Sequence, residues 1–441
     1  MNKLKQSWWA PNMIKRVVVL LFTVILNGLL WSNPGVAQAI KVEIVRSDDG
    51  FQLLRAGEPY VIKGVGREFG DIAAIASHGG NSFRNWTSDN AAEILDLAHE
   101  YGITVALCLP VQAERWGFDY GDAAAVAGQL AAMREEVLKY RDHPALLAWI
   151  IGNELNFDYR DSRVYDAVNE ISNMIHELDP NHPTTTTVAG LGLNVVEDLQ
   201  TRATDLDFIS FQVYGELANL PGFLNSLDLD KPIMVTEWGP VGHWEIPPTS
   251  WGAAVEMNSS AKADVYESMY EENIRPLLGR IIGSYAFLWG QKQERTPTWY
   301  GMFTETGEET ATVDVMHRIW NGDWPGNRAP VVRSLSLNAQ TADQNVRLRP
   351  GREYRAVARV FDPDGDDLRY HWELKPESQA QQVGGDFEQS IDNLDLGIDD
   401  LNSRRIRFAV PEQPGAYRLF MYAYDEHSHA AHANIPFLVI D

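Results

Sequence analysis

Cysteine is almost missing from this 441-residue chain: Cys108 stands alone, so no intramolecular disulfide can staple the fold. It lies in the apolar run from Ile103 to Leu109 and reads as inert strand core rather than as a reactive thiol. Basic residues are scarce as well, 37 Lys and Arg against 61 Asp and Glu, for a formal net charge of −24. Such a surface excludes nucleic acid, anionic lipid and polyanionic polymers as partners. It suits a neutral or cationic substrate, or serves solubility alone. No Gly-rich phosphate fingerprint follows an early strand, which sets a dinucleotide-binding open sheet well behind its rivals. His78, His99, His143, His176 and His182 are scattered without ligand spacing, so no metal is expected among them, and no cofactor. No apolar run is long enough to be a good membrane span.

What is present balances these absences. Apolar residues make up 45% and charged residues 22%, the composition of a globular protein. The length leaves room for two domains and for a core that needs no disulfides. Residues 1–39 read as a cleaved export signal. Lys3, Lys5, Lys15 and Arg16 precede an almost wholly apolar stretch from Val17 to Trp31, and Val36-Ala37-Gln38-Ala39 has the small-residue pattern of a cleavage site. An uncleaved anchor is the alternative. Removing these four basic residues, with no acid among them, takes the net charge from −24 to −28. The mature protein is expected outside the cytoplasm, free of the membrane and monomeric.

After a lead-in hairpin over Lys41–Leu54, short apolar runs alternate with helix-period segments, the mark of βα units and a parallel sheet. Eight runs stand out: Tyr60–Gly66, Asn81–Trp86, Ile103–Pro110, Leu146–Asn156, Thr184–Ala189, Leu206–Tyr214, Pro232–Trp238 and Ser284–Gly290. Helices are predicted over Ala91–Tyr101, Ala123–Tyr140, Val164–Leu178 and Ala261–Leu278. Eight units in roughly 250 residues is the size of a (β/α)8 barrel. The barrel is assigned to residues 40–322. Asn321 to Pro330 is dense in linker residues, and period-2 runs then fill residues 328–441 without a convincing helix. That segment is predicted to be an all-β sandwich, with a long acidic loop over Gln379–Asp399. Its expected role is a spacer or a glycan-binding accessory.

Reactive groups of a (β/α)8 barrel sit at the C-terminal ends of its strands. The fourth run ends Gly152-Asn153-Glu154, and the seventh ends Thr236-Glu237-Trp238. Both carboxylates close strands that otherwise look buried, where an unused charge is costly. Two carboxylates across one barrel mouth are what glycoside hydrolysis needs, roughly 5 Å apart in the retaining geometry. Glu68, Glu114, Glu216 and Glu294 also lie near strand ends, but in polar loops that suit binding before catalysis. Of 14 tryptophans, Trp86, Trp116, Trp244, Trp251 and Trp299 fall in predicted mouth loops, where flat rings stack on sugars or else pack as core.

Trp149–Asn156 and Ile233–Pro240 resemble the acid/base and nucleophile strands of the clan of retaining (β/α)8 glycoside hydrolases that includes families 2 and 5. Leu147-Ala-Trp-Ile-Ile-Gly-Asn-Glu154 is most similar to the family 2 barrel, and also to bacterial relatives of β-1,3-glucanosyltransferases. Asp179-Pro-Asn-His-Pro183 resembles the same group, and the likeness covers about residues 58–320. The resemblance implies Glu154 as general acid/base and Glu237 as nucleophile. It further implies Arg84 holding the nucleophile ionised, Asn153 binding the sugar 2-hydroxyl, Tyr214 donating to the nucleophile and Trp289 forming an aromatic floor. Trp86 and Trp299 are added as sugar contacts. The implied substrate is a neutral β-linked oligo- or polysaccharide, with a leaning towards β-glucans. Transglycosylation by the same glutamates stays open, as does a non-catalytic carbohydrate-binding role. The C-terminal segment resembles polycystic-kidney-disease-type and other Ig-like modules. Asp362, Asp364 and Asp366 there form either a calcium loop or a plain turn.

Overall fold

The computed structural model describes residues 38–48, 50–381 and 385–440. The expected leader falls almost wholly outside them. No helix among the described residues is long and apolar enough to cross a membrane. An antiparallel hairpin, β1 (Val42–Ser47) and β2 (Gly50–Arg55), opens the chain, with the short β3 (Glu58–Pro59) on its edge. Val42 and Leu53 pack with Ala106, Cys108, Leu147 and Met234 inside the barrel. The hairpin also bonds to the loops that enter two barrel strands, through Asn181 and Gly279. It therefore closes the barrel floor, the end opposite the strand C-termini.

The barrel strands are β4 (Gly64–Arg67), β5 (Ser82–Arg84), β6 (Thr104–Leu109), β7 (Leu146–Ile151), β8 (Thr184–Thr185), β9 (Thr187–Ala189), β10 (Ile209–Gln212), β11 (Ile233–Trp238) and β12 (Ile281–Trp289). All neighbours pair in parallel, and β12 returns to β4. β8 and β9 are one strand interrupted at Thr186; β8 pairs with β7 and β9 with β10, which completes an eight-fold ring. Thr186 turns its hydroxyl to the Ile151 carbonyl at 2.7 Å across that break. This is a (β/α)8 barrel, as the alternation of runs predicts.

The four predicted helices form α2 (Ala91–Glu100), α3 (Ala123–Tyr140), α4 (Arg163–Leu178) and α7 (Ser259–Met269), counted within the set completed by α1 (Ile72–Ser77), α5 (Leu193–Arg202), α6 (Leu220–Ser226) and α8 (Ala311–Asn321). α4 shows why they form: Val164, Val168, Ile171 and Ile175 make one buried stripe at helical spacing. Asp122 caps α3 by accepting from the Ala124 and Ala125 amides. The predicted helix over Ala261–Leu278 is shorter as an α-helix. It ends at Met269 and continues as a π turn over Tyr270–Ile274, before Pro276.

Beyond the linker, β13 (Val331–Leu337), β15 (Glu353–Phe361) and β17 (Arg405–Ala409) make one sheet. β14 (Arg347–Leu348), β19 (Ala430–Val439), β18 (Gly415–Tyr424) and β16 (Arg369–Pro376) make the other. Leu335, Ala356 and Phe408 from the first sheet share a core with Trp372, Leu419 and Phe437 from the second. That is a β-sandwich. It is no detached spacer. Residues 39–441 form one compact unit, and Arg418 of β18 donates to the Ala254 carbonyl of the barrel at 2.7 Å.

Asp362 Oδ1 accepts from the amides of Asp364, Gly365 and Asp366, the bonding of a tight turn. The carboxylates that converge are Asp362, Asp366 and Asp425, with oxygens within 4.8 Å of one another. Asp364 is not among them, because it turns to the Arg328 amide at 2.8 Å. The set expected from sequence is corrected to that extent, since β19 and β18 bring Asp425 to the turn and spacing along the chain cannot show it.

Candidate active site

Glu154 and Glu237 line one cavity of about 750 Å3 at the C-terminal end of the barrel strands. The backbone explains how each carboxyl reaches it. Gly152, at φ +73°, ends β7; a Cβ there would meet the Leu155 side chain at 2.7 Å. Glu154 follows at φ +48°, a left-handed conformation that costs a non-glycine residue stability and clusters at functional sites. Its amide donates to Thr187 Oγ1 at 3.0 Å, which pins the turn. Asp179 steadies the same strand by accepting the Trp149 indole N–H at 2.8 Å, while its Oδ2 also meets His182 Nδ1 at 2.8 Å. The Asp-Pro-Asn-His-Pro segment thus acts at the opposite end of the strand from the chemistry.

Glu237 is gripped by three donors. Arg84 Nη1 reaches Oε1 at 3.1 Å, Trp86 Nε1 reaches the same oxygen at 2.7 Å, and the Tyr214 hydroxyl reaches Oε2 at 2.9 Å. Hydrogen bonds and a buried guanidinium stabilise negative charge on that carboxylate. Arg84 is fully buried and uses Nη2 to hold Asn153 Oδ1 at 2.9 Å. Gln212 at 2.8 Å and the Thr187 hydroxyl at 3.3 Å donate to the same Asn153 oxygen, so the Asn153 amide nitrogen is oriented by three partners. Burial pushes the Tyr214 phenol well up, and the Glu237 charge adds to it, so Tyr214 stays a donor.

Glu154 has the opposite electrostatics. Burial first, and the nearby Glu237 anion second, push its carboxyl up to about 8. Two carboxyls in one cavity are thereby set apart, Glu237 held by three donors and Glu154 pushed towards its protonated form. This is the pairing that general-acid and nucleophile roles require.

The structure brings Glu154, Glu237, Arg84, Asn153, Tyr214 and Trp86 together, and it does not bring Trp289 or Trp299 to the cavity. Trp289 is fully buried, donates to the Asp71 carbonyl at 3.0 Å and packs against Phe303. The β12–β4 register breaks between Ala286 and Trp289, so Phe287 lines the cavity and Trp289 faces the outer layer. Trp299 is 1% exposed and donates to the Val241 carbonyl, leaving its neighbour Tyr300 on the wall. Of the other acids, Glu68, Glu216 and Glu294 line the cavity. Glu114 instead braces a loop through the Arg160 and Asp161 amides. Glu294 is buried rather than loop-exposed. Against that burial, His243 at 3.2 Å and Lys292 at 3.1 Å hold its carboxyl below the usual range. Sequence reading missed Gln212 and Arg115; Gln212 was visible as the polar residue before the Val213-Tyr214 strand end. Cys108 is wholly buried, and burial pushes its thiol up to about 11, which agrees with an inert core residue.

Residues 64–243 match the family model described as glycosyl hydrolases family 2, TIM barrel domain. The match spans the strands that carry Arg84, Asn153, Glu154, Tyr214 and Glu237. A mannan endo-1,4-beta-mannosidase F of Aspergillus clavatus is 42% identical over 69 residues, 15% of this chain and 16% of that protein. Among solved structures, beta-glucuronidase 2 of Bacteroides uniformis is 14% identical with a TM-score of 0.50, over 90% of this chain and 48% of that one. A Bifidobacterium dentium beta-glucuronidase is 19% identical with a TM-score of 0.51, over 64% and 49%. These structures share the fold, and the chain spans about half their length.

Proposed function

We propose that the chain is a retaining β-glycosidase that cleaves neutral β-linked oligo- or polysaccharides. The observation that carries this is the three-donor grip on Glu237 in the one cavity that also holds Glu154, whose carboxyl burial and the Glu237 anion push up. The family 2 barrel match over the same strands supports glycosidase chemistry.

Glu154 gives its proton to the glycosidic oxygen while Glu237 attacks the anomeric carbon, so the C–O bond breaks as the glycosyl ester forms. Forming the ester removes the Glu237 charge, the largest influence after burial that raises the Glu154 carboxyl. Glu154 then takes a proton from water, which opens the ester and restores Glu237 with retained configuration. In this reading the Asn153 amide, held by Arg84 and Gln212, contacts the sugar 2-hydroxyl.

Charge argues for a neutral sugar. Glu68, Asp158, Glu216, Glu245 and Glu294 line the cavity besides the catalytic pair. Its lining cations are already engaged, Arg115 with Asp386 and Lys292 with Glu294, so a uronate carboxylate would meet an acidic wall. The leaning towards β-glucans remains part of the proposal. The test is direct. Purified protein is given neutral β-glycans, and the anomer first released is read by NMR. Release of the β-anomer supports the reading; first release of the α-anomer overturns the retaining mechanism.

A further inference from the structure

Three large aromatic side chains on the cavity wall are turned to solvent: Phe387 is 85% exposed, Trp116 62% and Trp244 53%. Two belong to the barrel. Phe387 does not; it comes from the loop between β16 and β17 of the sandwich. Residues on both sides of it are tied to the barrel. Asp386 pairs with Arg115 at 3.2 Å. Lys292 donates to the Gly385 carbonyl at 3.0 Å. Glu388 accepts from the Arg295 amide at 2.9 Å and from Gln293 at 3.1 Å. Arg115 also lies over the Trp116 ring, 4.5 Å from its centroid, so one guanidinium links the barrel aromatic to the sandwich loop.

We propose that this sandwich loop completes the substrate cleft, with Phe387 as a stacking platform for a pyranose ring of a neutral β-linked chain, away from the sugar that reacts. The inference rests on the glycosidase reading above. A Phe ring on a loop tied to the barrel on either side loses less freedom on binding than one on a free loop, and its face matches the C–H face of a pyranose. The ring has no catalytic contact: the atoms that grip Glu237 belong to Arg84, Trp86 and Tyr214. Its contribution is binding at a distance, which appears in long substrates and not in short ones. The cavity volume, about 750 Å3, lies towards the top of the range for small-molecule sites, with room for more than one sugar.

The test compares wild type, Phe387→Ala and Phe387→Tyr on cellotetraose, laminaritetraose, mannotetraose and the matching p-nitrophenyl β-monoglycosides. For the best tetrasaccharide, the ratio of its kcat/KM to that of the monoglycoside is expected to fall about tenfold in Phe387→Ala, and to return in Phe387→Tyr. An unchanged ratio in Phe387→Ala, or wild-type cleavage of monoglycosides alone, overturns the platform and leaves the glycosidase reading standing. No turnover of any of these substrates by wild type overturns both.

Discussion

Tyr214 donates its hydroxyl to Oε2 of Glu237 at 2.9 Å. A hydrogen bond to a charged group is worth about 1.5–3 kcal/mol, and here it also aims the carboxylate. Tyr214→Phe is therefore expected to lower kcat by roughly one to two powers of ten. Its thermal stability should change little. Steady-state kinetics on an activated aryl β-glycoside measures the first, and a melting curve the second. A variant as active as wild type would mean that Arg84 and Trp86 suffice to orient Glu237.

Removing the acid is expected to reveal itself through the leaving group. Glu154→Gln cannot protonate the departing oxygen, so alkyl and oligosaccharide substrates should slow by about 10²–10⁴-fold. A dinitrophenyl β-glycoside, whose leaving group needs no proton, should still glycosylate Glu237 rapidly and then stall. Azide, which needs no general base, should restore turnover and give the β-glycosyl azide. Equal losses on both substrates, with no azide product, would remove Glu154 from the acid/base role. Glu237→Gln should be inactive on both.

The pH profile follows from the same pair. Glu154 works protonated, and burial together with the Glu237 anion raises its carboxyl. Activity should hold through neutral pH and fall on the alkaline side as Glu154 loses its proton. Neutralising the neighbour, in Glu237→Gln, removes the repulsion and should lower the Glu154 pKa. Carbon-13 NMR titration of labelled glutamates in wild type and variant reads this shift directly. A Glu154 that titrates unchanged when the neighbouring charge is gone would mean that burial alone sets it.

Much of the barrel was legible because its strands are short buried runs between punctuated helices. The eight runs each contain or overlap an observed strand. Glu154 and Glu237 were legible for a related reason: a charge that closes an apolar strand is conspicuous. The tryptophans were not. Trp86 and Trp289 both fall at the ends of apolar runs, and only a register break that no composition reveals sends Trp289 outward. The short helices α1 and α6 were hidden as well. One has six residues, and the other carries Pro221 and Gly222 within its seven. The sandwich loop was visible only as polarity. Its approach to the cavity depends on long-range pairs such as Arg115 with Asp386, and sequence spacing holds no trace of those.

The junction between barrel and sandwich offers a test of why the two halves form one unit. Arg418, 2% exposed, bonds Glu377 at 2.6 Å, Asn434 Oδ1 at 2.6 Å and the barrel carbonyl of Ala254 at 2.7 Å. Close by, Asn434 Nδ2 donates to Glu256 of the barrel, which also pairs with buried Lys262. Breaking a buried ion pair leaves a charge without its partner and costs about 3–5 kcal/mol. Arg418→Ala should lower the urea midpoint accordingly, and Glu377→Ala should do the same. Replacing both together, Arg418→Met with Glu377→Leu, removes the stranded charge and should recover a good part of that loss. Deleting residues 328–441 exposes the whole junction, with Glu256 and Lys262 uncovered, so the barrel alone should express poorly or melt early. A truncated barrel that melts like the full chain would show that the buried pairs join two independently stable bodies.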